Sequence, residues 1–501
     1  MVNFSPGSAV DLGNGVRMHA VNVSGEARRA ERAPDASVRA TAGRTPQAYL
    51  RQSGAAPEAA DRLGGALDDS GMRLHTTIAL PRLSAGRSGP APRTRGPVTA
   101  PHLRLEVGAP ARADEGQVIL EVDGKTGHIR WHLPRVEAAA EGHRAAVKQQ
   151  FDIPCDRFEI GGAGPASRGI VGFGLSKVLH VIRFPVEYVA GQVAEWGARW
   201  WEGRHRPHAL RLANPDGTVG AAVDARLLAQ LGTGPYLLFV HGTFSTSDAF
   251  AGLHPDFARW YADYGRRLLL FEHPTVAATP EKNARRLLDF LPDDRTLTLD
   301  VVTHSRGGLV ARQLVRQPAA GRVSVRRLVQ VASPNAGTKL ASPENLGSLV
   351  DTFTNLFSLL PDAVGGAALP GVLEVVKQVA VGIMSGLDGL AAMDPANEEL
   401  LALNDTDVRM DAVHAITSNY KPSAGASLAQ RTLDTIVDAL FADGNDLVVP
   451  VTGMSNAGKF VVPAPFALDA PSVSHCAYFG DERTRAEIRH CLTLPAVLPF
   501  G

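Results

Sequence analysis

The chain has 501 residues, and its 51 Lys plus Arg balance its 51 Asp plus Glu. A formal net charge of zero provides no global field for nucleic acid or an anionic surface, so we expect no nucleic-acid partner. With 45% hydrophobic residues a large core is possible, and a chain this long is expected to divide into domains. No secretory signal pattern and no charge-free apolar run of ~18 residues is evident, which predicts a cytoplasmic protein.

The first part of the chain is predicted to hold two units. Residues 1–71 are rich in Ala, Arg, Pro and Gly without sustained periodicity, which predicts a weakly ordered segment. In residues 72–165 apolar side chains recur at every second position, as at Val118, Leu120 and Val122, which is typical of strands. We predict a small β-rich module there.

Residues 166–207 are interpreted as an amphipathic helical linker. Within it, residues 175–201 combine apolar and charged side chains at roughly helical spacing, with Pro185 expected to kink the helix. Trp200 and Trp201 suggest one hypothesis, peripheral contact with a membrane surface. The favoured alternative is a helix packed on the following domain.

From residue 208 onward the pattern changes to apolar β-rich runs alternating with helical segments. Near-continuous apolar strands separated by helices predict a mostly parallel sheet covered by helices on both faces, an α/β fold over residues 208–501. The predicted strands are 236–240, 267–271, 299–302, 328–331, 413–417 and 460–462. The predicted helices are 280–290, 307–316, 428–441 and 482–491.

Residues 299–308 predict a nucleophile elbow. An apolar strand leads directly into Ser305, which is followed by Gly307, Gly308 and a helix. A serine on such a tight turn exposes its Oγ above the sheet, and its neighbours must be small because strand and helix approach closely. Thr303 replaces the first glycine of the usual Gly-x-Ser-x-Gly pattern. The alternative is that Ser305 only caps the helix.

The strand 236–240 ends in His241 and Gly242 before a polar loop. Attack by a serine creates an oxyanion that needs preorganised N–H donors. We assign these donors to the backbone of Thr243 or Phe244 and of Arg306.

The general base and its orienting acid are expected downstream, in the chain order Ser, Asp, His. His475 stands just before the last helix, and Asp446 lies in an Asp-x-x-Val-Pro context. Asp443 is the alternative acid, since its Asp-Gly dipeptide is also a common turn. His475 would take the proton of Ser305 while Asp446 holds the imidazole, a mechanism that needs no metal or organic cofactor.

These motifs, together with residues 332–338, resemble the lipase and esterase branch of the α/β-hydrolase superfamily. Similar signatures occur in triacylglycerol lipases and in deacylases of glycosylphosphatidylinositol anchors. Residues 271–275 and 443–450 look more like a set of poorly characterised bacterial hydrolase-like proteins. The resemblance covers about residues 235–492, and it implies a carboxylic ester or lipid ester as substrate.

The resemblance also implies a helical lid, here the insertion at residues 339–404. Its apolar stripes, which include Phe353, Phe357 and Val376, are typical either of a cover that receives an acyl chain and contacts a membrane, or of the core of a cap domain.

Three functions are compatible with the sequence. The favoured one is a carboxylic ester hydrolase. The same triad could instead serve an acyltransferase, a thioesterase or an amidase. An interaction protein with an inert hydrolase domain is the third hypothesis, and the oligomeric state stays open.

Overall fold

The computed structural model of the protein describes residues 1–28, 45–85, 100–112, 114–135, 148–155, 175–186, 197–317, 321–360, 362–382, 386–406 and 412–494. These residues form an N-terminal region of strands and two helices, and a C-terminal α/β region.

The N-terminal region is built from two antiparallel sheets. Its strands are β1 (Val2–Phe4), β2 (Ala9–Gly13), β3 (Val16–Val21), β4 (Val23–Ala27), β5 (Arg73–Ala85), β6 (His102–Val107), β7 (Glu115–Asp123), β8 (Ile129–His132), β9 (Gln149–Pro154) and β10 (Leu175–Pro185). Its helices are α1 (Pro46–Gln52) and α2 (Pro57–Asp69). One sheet has the order β1-β4-β5-β10-β7-β8 and the other β2-β3-β6-β9. Apolar side chains from both sheets, such as Met18, Leu105 and Ile119, form a shared core.

Both faces of the six-stranded sheet are buried. Along β7, Ile119 faces the core between the sheets, whereas Val118 and Leu120 join a second core. That second core also contains Leu50 of α1 and Leu63 of α2.

Two sequence predictions for this region were wrong. The described parts of residues 1–71 form four strands and two helices, because their apolar residues complete a core supplied largely by later strands. Residues 29–44 lie outside the described residues. The segment 175–185 is a strand rather than a helix, and it lies between β5 and β7.

The error at 175–185 has a physical cause. Both faces of β10 are buried, and polar residues such as Lys177 and His180 are buried beside the apolar ones, so the segment lacks the alternation that identifies a strand with one exposed face. The amphipathic surface inferred for this segment is therefore absent, and with it the basis for membrane contact at 175–185. Residues 187–196 lie outside the described residues, and 197–205 are helical.

The C-terminal region is organised around one eight-stranded sheet. Its helices are α3 (Gly197–His205), α4 (Ala225–Leu231), α5 (His254–Asp263), α6 (Pro280–Asp289), α7 (Gly307–Arg316), α8 (Leu346–Leu359), α9 (Asp362–Ala380), α10 (Asp388–Ala391), α11 (Glu398–Asn404), α12 (Leu428–Phe441), α13 (Val451–Ser455) and α14 (Glu482–Thr493). Its strands are β11 (Ala209–Ala213), β12 (Val219–Ala222), β13 (Tyr236–Val240), β14 (Leu268–Glu272), β15 (Leu297–His304), β16 (Val323–Val331), β17 (Val413–Thr417), β18 (Asn456–Ala457), β19 (Phe460–Val461) and β20 (Phe466–Ala467).

The large sheet has the order β12-β11-β14-β13-β15-β16-β17-β20 and is parallel from β14 to β20. Helices α5 and α14 cover one face, and α4, α6 and α7 cover the other. The predicted α/β architecture is thus confirmed. The strand predicted at 460–462 is not part of this sheet, because β19 pairs with β18 in a separate hairpin.

The insertion at 339–404 is largely helical and lies between the two regions. Its helices α8 and α9 pack on α2 and on the outer face of the six-stranded sheet. None of the helices among the described residues is both long and apolar enough to cross a membrane.

Candidate active site

Ser305 lies on a strained turn at the carboxyl end of the large sheet. β15 ends at His304, and Ser305 has a φ of 53°, in the left-handed region that residues other than glycine rarely adopt. Its N–H donates to the carbonyl of Val331 at 2.8 Å, which fixes the turn against β16. Helix α7 begins two residues later, so the segment has the strand-turn-helix form expected of a nucleophile elbow.

Close approach around the elbow requires glycine. A Cβ on Gly307 would lie 2.2 Å from the carbonyl oxygen of Val240, and one on Gly242 would lie 2.6 Å from the Cβ of Ser305. Thr303, the departure from the usual pattern, is fully buried, and its Oγ1 lies 3.5 Å from the carbonyl of Val329. Its side chain is thus accommodated beside β16.

The structure brings Ser305, His475 and Asp446 together in one hydrogen-bonded row. The Nε2 of His475 lies 2.8 Å from the Oγ of Ser305, and its Nδ1 lies 2.8 Å from Oδ2 of Asp446. The Asp446 carboxylate can only accept a hydrogen bond, so the proton must be on Nδ1 of His475. The Nε2 atom of His475 is then free to accept from the serine hydroxyl.

The buried Asp446 is fully supplied with donors. Its Oδ1 accepts from the N–H groups of Val448 at 3.1 Å and Val449 at 2.9 Å, and its Oδ2 accepts from the hydroxyl of Tyr478 at 3.1 Å. A buried carboxylate is costly unless its oxygens are satisfied in this way. Burial and the neighbouring Asp446 raise the pKa of Tyr478 well above its usual value, so Tyr478 is the donor.

The alternative acid and the histidine beside the nucleophile have other partners. Asp443 accepts a hydrogen bond from the hydroxyl of Thr452 at 2.5 Å and is not bonded to His475. His304 donates from Nε2 to the carbonyl of His475 at 2.8 Å. Burial lowers the pKa of His304 to about 3, so it is neutral and supports the His475 backbone.

The candidate oxyanion donors differ in their availability. The N–H of Phe244 donates to Oγ1 of Thr275 at 3.1 Å and is therefore occupied. The N–H groups of Thr243 and Arg306 have no acceptor among the described residues. The geometry thus favours the pair Thr243 and Arg306 over Phe244. The Arg306 side chain is buried and donates to the carbonyls of Gly389, at 2.9 Å, and Ala278.

The insertion covers the site. Ser305 is only 2% exposed. The ring of Phe353, on α8, lies edge-on to the rings of His475 and Phe244, with centroid distances of 6.3 Å and 5.0 Å. A small open cavity adjoins the triad. Its lining is mostly apolar and comprises Thr243, Ser245, Ala249, His304, Phe353, Phe357, Val364, His475 and Cys476.

Tyr478, Thr275 and Glu202 also support the site but were not found from the sequence. Tyr478 stands three residues after His475, so its nearness to the base was a usable signal. Thr275 contacts Phe244, and Glu202 contacts Thr275 from helix α3, and no local motif marks either residue. Within the described part of the chain, no cluster of three or more His, Cys, Asp or Glu side chains is arranged to hold a metal ion.

Comparison with solved structures found weak similarities to hydrolases. They include the Bacillus licheniformis lipase BlEst2 in mature form (14% identity, 52% of this chain and 93% of that chain, TM-score 0.30). A second similarity is to phospholipase PlaB from Legionella pneumophila (14% identity, 52% of this chain and 60% of that chain, TM-score 0.36). A third is to lipase 1 from Pelosinus fermentans (13% identity, 52% of this chain and 100% of that chain, TM-score 0.37).

A search of curated protein sequences gave no match. A sequence family described as a domain of unknown function, DUF7379, matches residues 206–493, which is more than half of the chain. The chain therefore belongs to the DUF7379 family.

Proposed function

We propose that this protein is a serine hydrolase that cleaves carboxylic esters through an acyl-enzyme intermediate. The observation that carries the proposal is the row in which His475 lies 2.8 Å from both Ser305 Oγ and Asp446 Oδ2. Groups in this order supply a nucleophile, a base and an orienting carboxylate, whatever fold presents them.

In the proposed reaction, Ser305 Oγ attacks the ester carbonyl carbon as His475 Nε2 accepts its proton. The N–H groups of Thr243 and Arg306 stabilise the resulting oxyanion. The protonated His475 then donates its proton to the departing alcohol, leaving an acyl group on Ser305. A water molecule, deprotonated by His475, attacks this acyl-enzyme and releases the acid.

The surroundings of the triad favour a substrate with an apolar acyl group. Phe353, Phe357, Val364 and Ala249 line the cavity beside the triad, whereas Thr243 and Ser245 supply its polar part. Pockets of this kind bind through apolar contact and are oriented by a few polar groups. No step of the reaction calls for a metal ion or organic cofactor, and a lipid ester would satisfy the same chemistry.

The proposal is tested by hydrolysis of p-nitrophenyl esters of increasing acyl length, with thioester and anilide analogues alongside. We expect turnover of esters by the wild type and a loss of at least about a thousandfold in Ser305→Ala, with unchanged circular dichroism. Retained activity in Ser305→Ala contradicts the triad. A clear preference for thioesters or anilides moves the assignment to a thioesterase or an amidase.

A further inference from the structure

We infer that Glu202 and Arg206, on and just after helix α3, are positioning residues that hold the oxyanion loop in its active shape. The oxyanion loop is defined here as residues 241–245. The inference rests on the proposed function, because it assigns these side chains to the stabilisation of the oxyanion. Glu202 lies just before the 206–493 region that matches the family.

Glu202 is a fully buried carboxylate whose bonds all go to one segment. Its Oε1 accepts from the N–H of Thr275 at 2.6 Å and of Val276 at 2.8 Å, and its Oε2 accepts from the N–H of Ala277 at 2.8 Å. Three consecutive N–H groups therefore surround one charge. Such a charge is tolerated in the interior only when satisfied in this way, so the segment after β14 is held tightly.

Thr275 passes this restraint to the oxyanion loop. Its hydroxyl lies 3.2 Å from Oε1 of Glu202, to which it can only donate. The Oγ1 of Thr275 is thereby oriented to accept, and it receives the N–H of Phe244 at 3.1 Å. A fixed row of hydrogen bonds thus runs from Glu202 to the peptide between Thr243 and Phe244.

Arg206 binds the carbonyl of Phe244, the residue whose N–H is bound by Thr275. One of its Nη atoms donates to the carbonyls of Phe244 and, at 3.3 Å, of Ser245. The other donates to the carbonyl of Ala367 in α9 at 2.8 Å, which links the oxyanion loop to the insertion. Among the described residues no ion pair joins the side chains of Arg206 and Glu202, so the two charges are directed to the backbone of the site.

The oxyanion loop needs external support because its conformation is strained. Phe244 has a φ of 60°, in the left-handed region that is unfavourable for a residue other than glycine. Gly242 meanwhile approaches Ser305 so closely that a Cβ would clash. With both polar groups of the Phe244 backbone held, the N–H of Thr243, which lines the cavity at the triad, has no acceptor among the described residues. Displacement of about 1 Å can cost on the order of a hundredfold in rate.

Two sets of variants test this role through kcat, KM and the rate of Ser305 phosphonylation by a fluorophosphonate. Thr275→Val removes the acceptor for the Phe244 N–H at nearly constant volume, and Thr275→Ser restores it. Arg206→Ala removes the guanidinium, and Arg204→Ala removes an exposed charge from the same helix. Glu202→Ala completes the set, with circular dichroism and melting temperature measured for every variant.

We expect Thr275→Val and Arg206→Ala to lower kcat and the phosphonylation rate by about ten- to a hundredfold with little change in KM. Thr275→Ser and Arg204→Ala should stay near wild type. If Glu202→Ala does not fold, Thr275→Val still decides the question. If the wild type is active and both Thr275→Val and Arg206→Ala are as active as the wild type, this inference is wrong, while the proposed function stands. A wild type that neither labels nor turns over any ester overturns the proposed function and the inference together.

Discussion

At the scale of single residues, the candidate site depends on which group holds the imidazole of His475. Asp446 accepts from His475, two backbone N–H groups and Tyr478, whereas Asp443 accepts from Thr452 at the rim. The two carboxylates are three positions apart in the sequence but differ in burial and partners. Substituting Asp446 and Asp443 in turn therefore distinguishes the loss of the group that orients His475 from the loss of a negative charge in this loop.

Asp446→Asn should lower kcat on the best p-nitrophenyl ester by about 10³–10⁴, because an amide at this position disfavours the tautomer with Nδ1 protonated. Asp443→Asn should stay within a few-fold of wild type. Steady-state kinetics on both purified variants checks this, after circular dichroism has shown them folded. The reverse ranking would make Asp443 the orienting acid.

At the scale of elements, helix α8 joins the N-terminal region to the cover of the site. β8 is an edge strand of the six-stranded sheet, and its backbone is satisfied by side chains of α8. The Oδ1 of Asn355 accepts from the N–H of Ile129 at 3.1 Å, and its Nδ2 donates to the carbonyl of Ile129 at 2.7 Å. Asp351 accepts from the N–H of Trp131 at 2.7 Å. Phe353, on the same helix, lies against His475.

Asn355→Ala should lower the free energy of unfolding by about 1–3 kcal/mol, since it leaves two buried backbone groups of Ile129 without partners. Ser358→Ala is the control, because among the described residues its hydroxyl bonds only within α8, to the carbonyl of Thr354. Urea denaturation of both variants gives the comparison. Equal stability of Asn355→Ala and wild type would mean that this contact contributes little.

The same junction predicts a pH dependence of stability. Burial raises the pKa of Asp351 to about 7, far above the ~3.9 of an unfolded aspartate. The folded state thus favours the protonated carboxyl, so the contribution of Asp351 to stability is fully present below about pH 4 and is lost as the pH rises towards 7.

Asp351→Asn keeps an oxygen acceptor for Trp131 but cannot ionise. Its stability relative to wild type should therefore increase through this pH window, by up to a few kcal/mol. Urea denaturation at several pH values measures the difference. A difference that stays constant with pH would show that Asp351 does not titrate in this range.

At the scale of the whole molecule, one apolar core crosses the boundary between the two regions. It contains side chains from the six-stranded sheet, from α1 and α2, from the insertion and from α12, such as Leu120, Leu63, Phe353 and Val437. Domains that share a core of this kind cannot unfold independently without exposing it to water.

Differential scanning calorimetry of the full chain should accordingly show one cooperative unfolding transition. Ser305→Ala should leave that transition nearly unchanged, because it removes a single hydroxyl. Two well-separated transitions would contradict the shared core and would indicate that the N-terminal region folds independently.

The contrast between the two regions explains how far the sequence could predict the structure. Apolar strands that alternate with helices are local signals, so β13 and α7 were predicted with their observed bounds. Strands buried on both faces, such as β10, lose the alternation that identifies them. Residues 2–27 were also misjudged, because β3 and β4, which join this segment to the two sheets, pair with β6 and β5 more than fifty positions away.

The same reasoning applies to the site. Ser305 directly follows β15, Asp446 and His475 stand in short loop motifs, and the structure places the three in contact. Glu202 and Thr275 act through contacts between segments about seventy residues apart, which no motif encodes. The choice between Thr243 and Phe244 required knowing that Thr275 occupies the Phe244 N–H.

The most direct test of the central claim is intact-mass measurement of the purified protein after reaction with a fluorophosphonate, followed by peptide mapping. We expect one added phosphonyl group, on the peptide that contains Ser305, and none on Ser305→Ala. We also expect much slower labelling of His475→Ala, because the serine then lacks its base. Labelling at another serine, or unchanged labelling of Ser305→Ala, would contradict the assignment of Ser305 as the nucleophile.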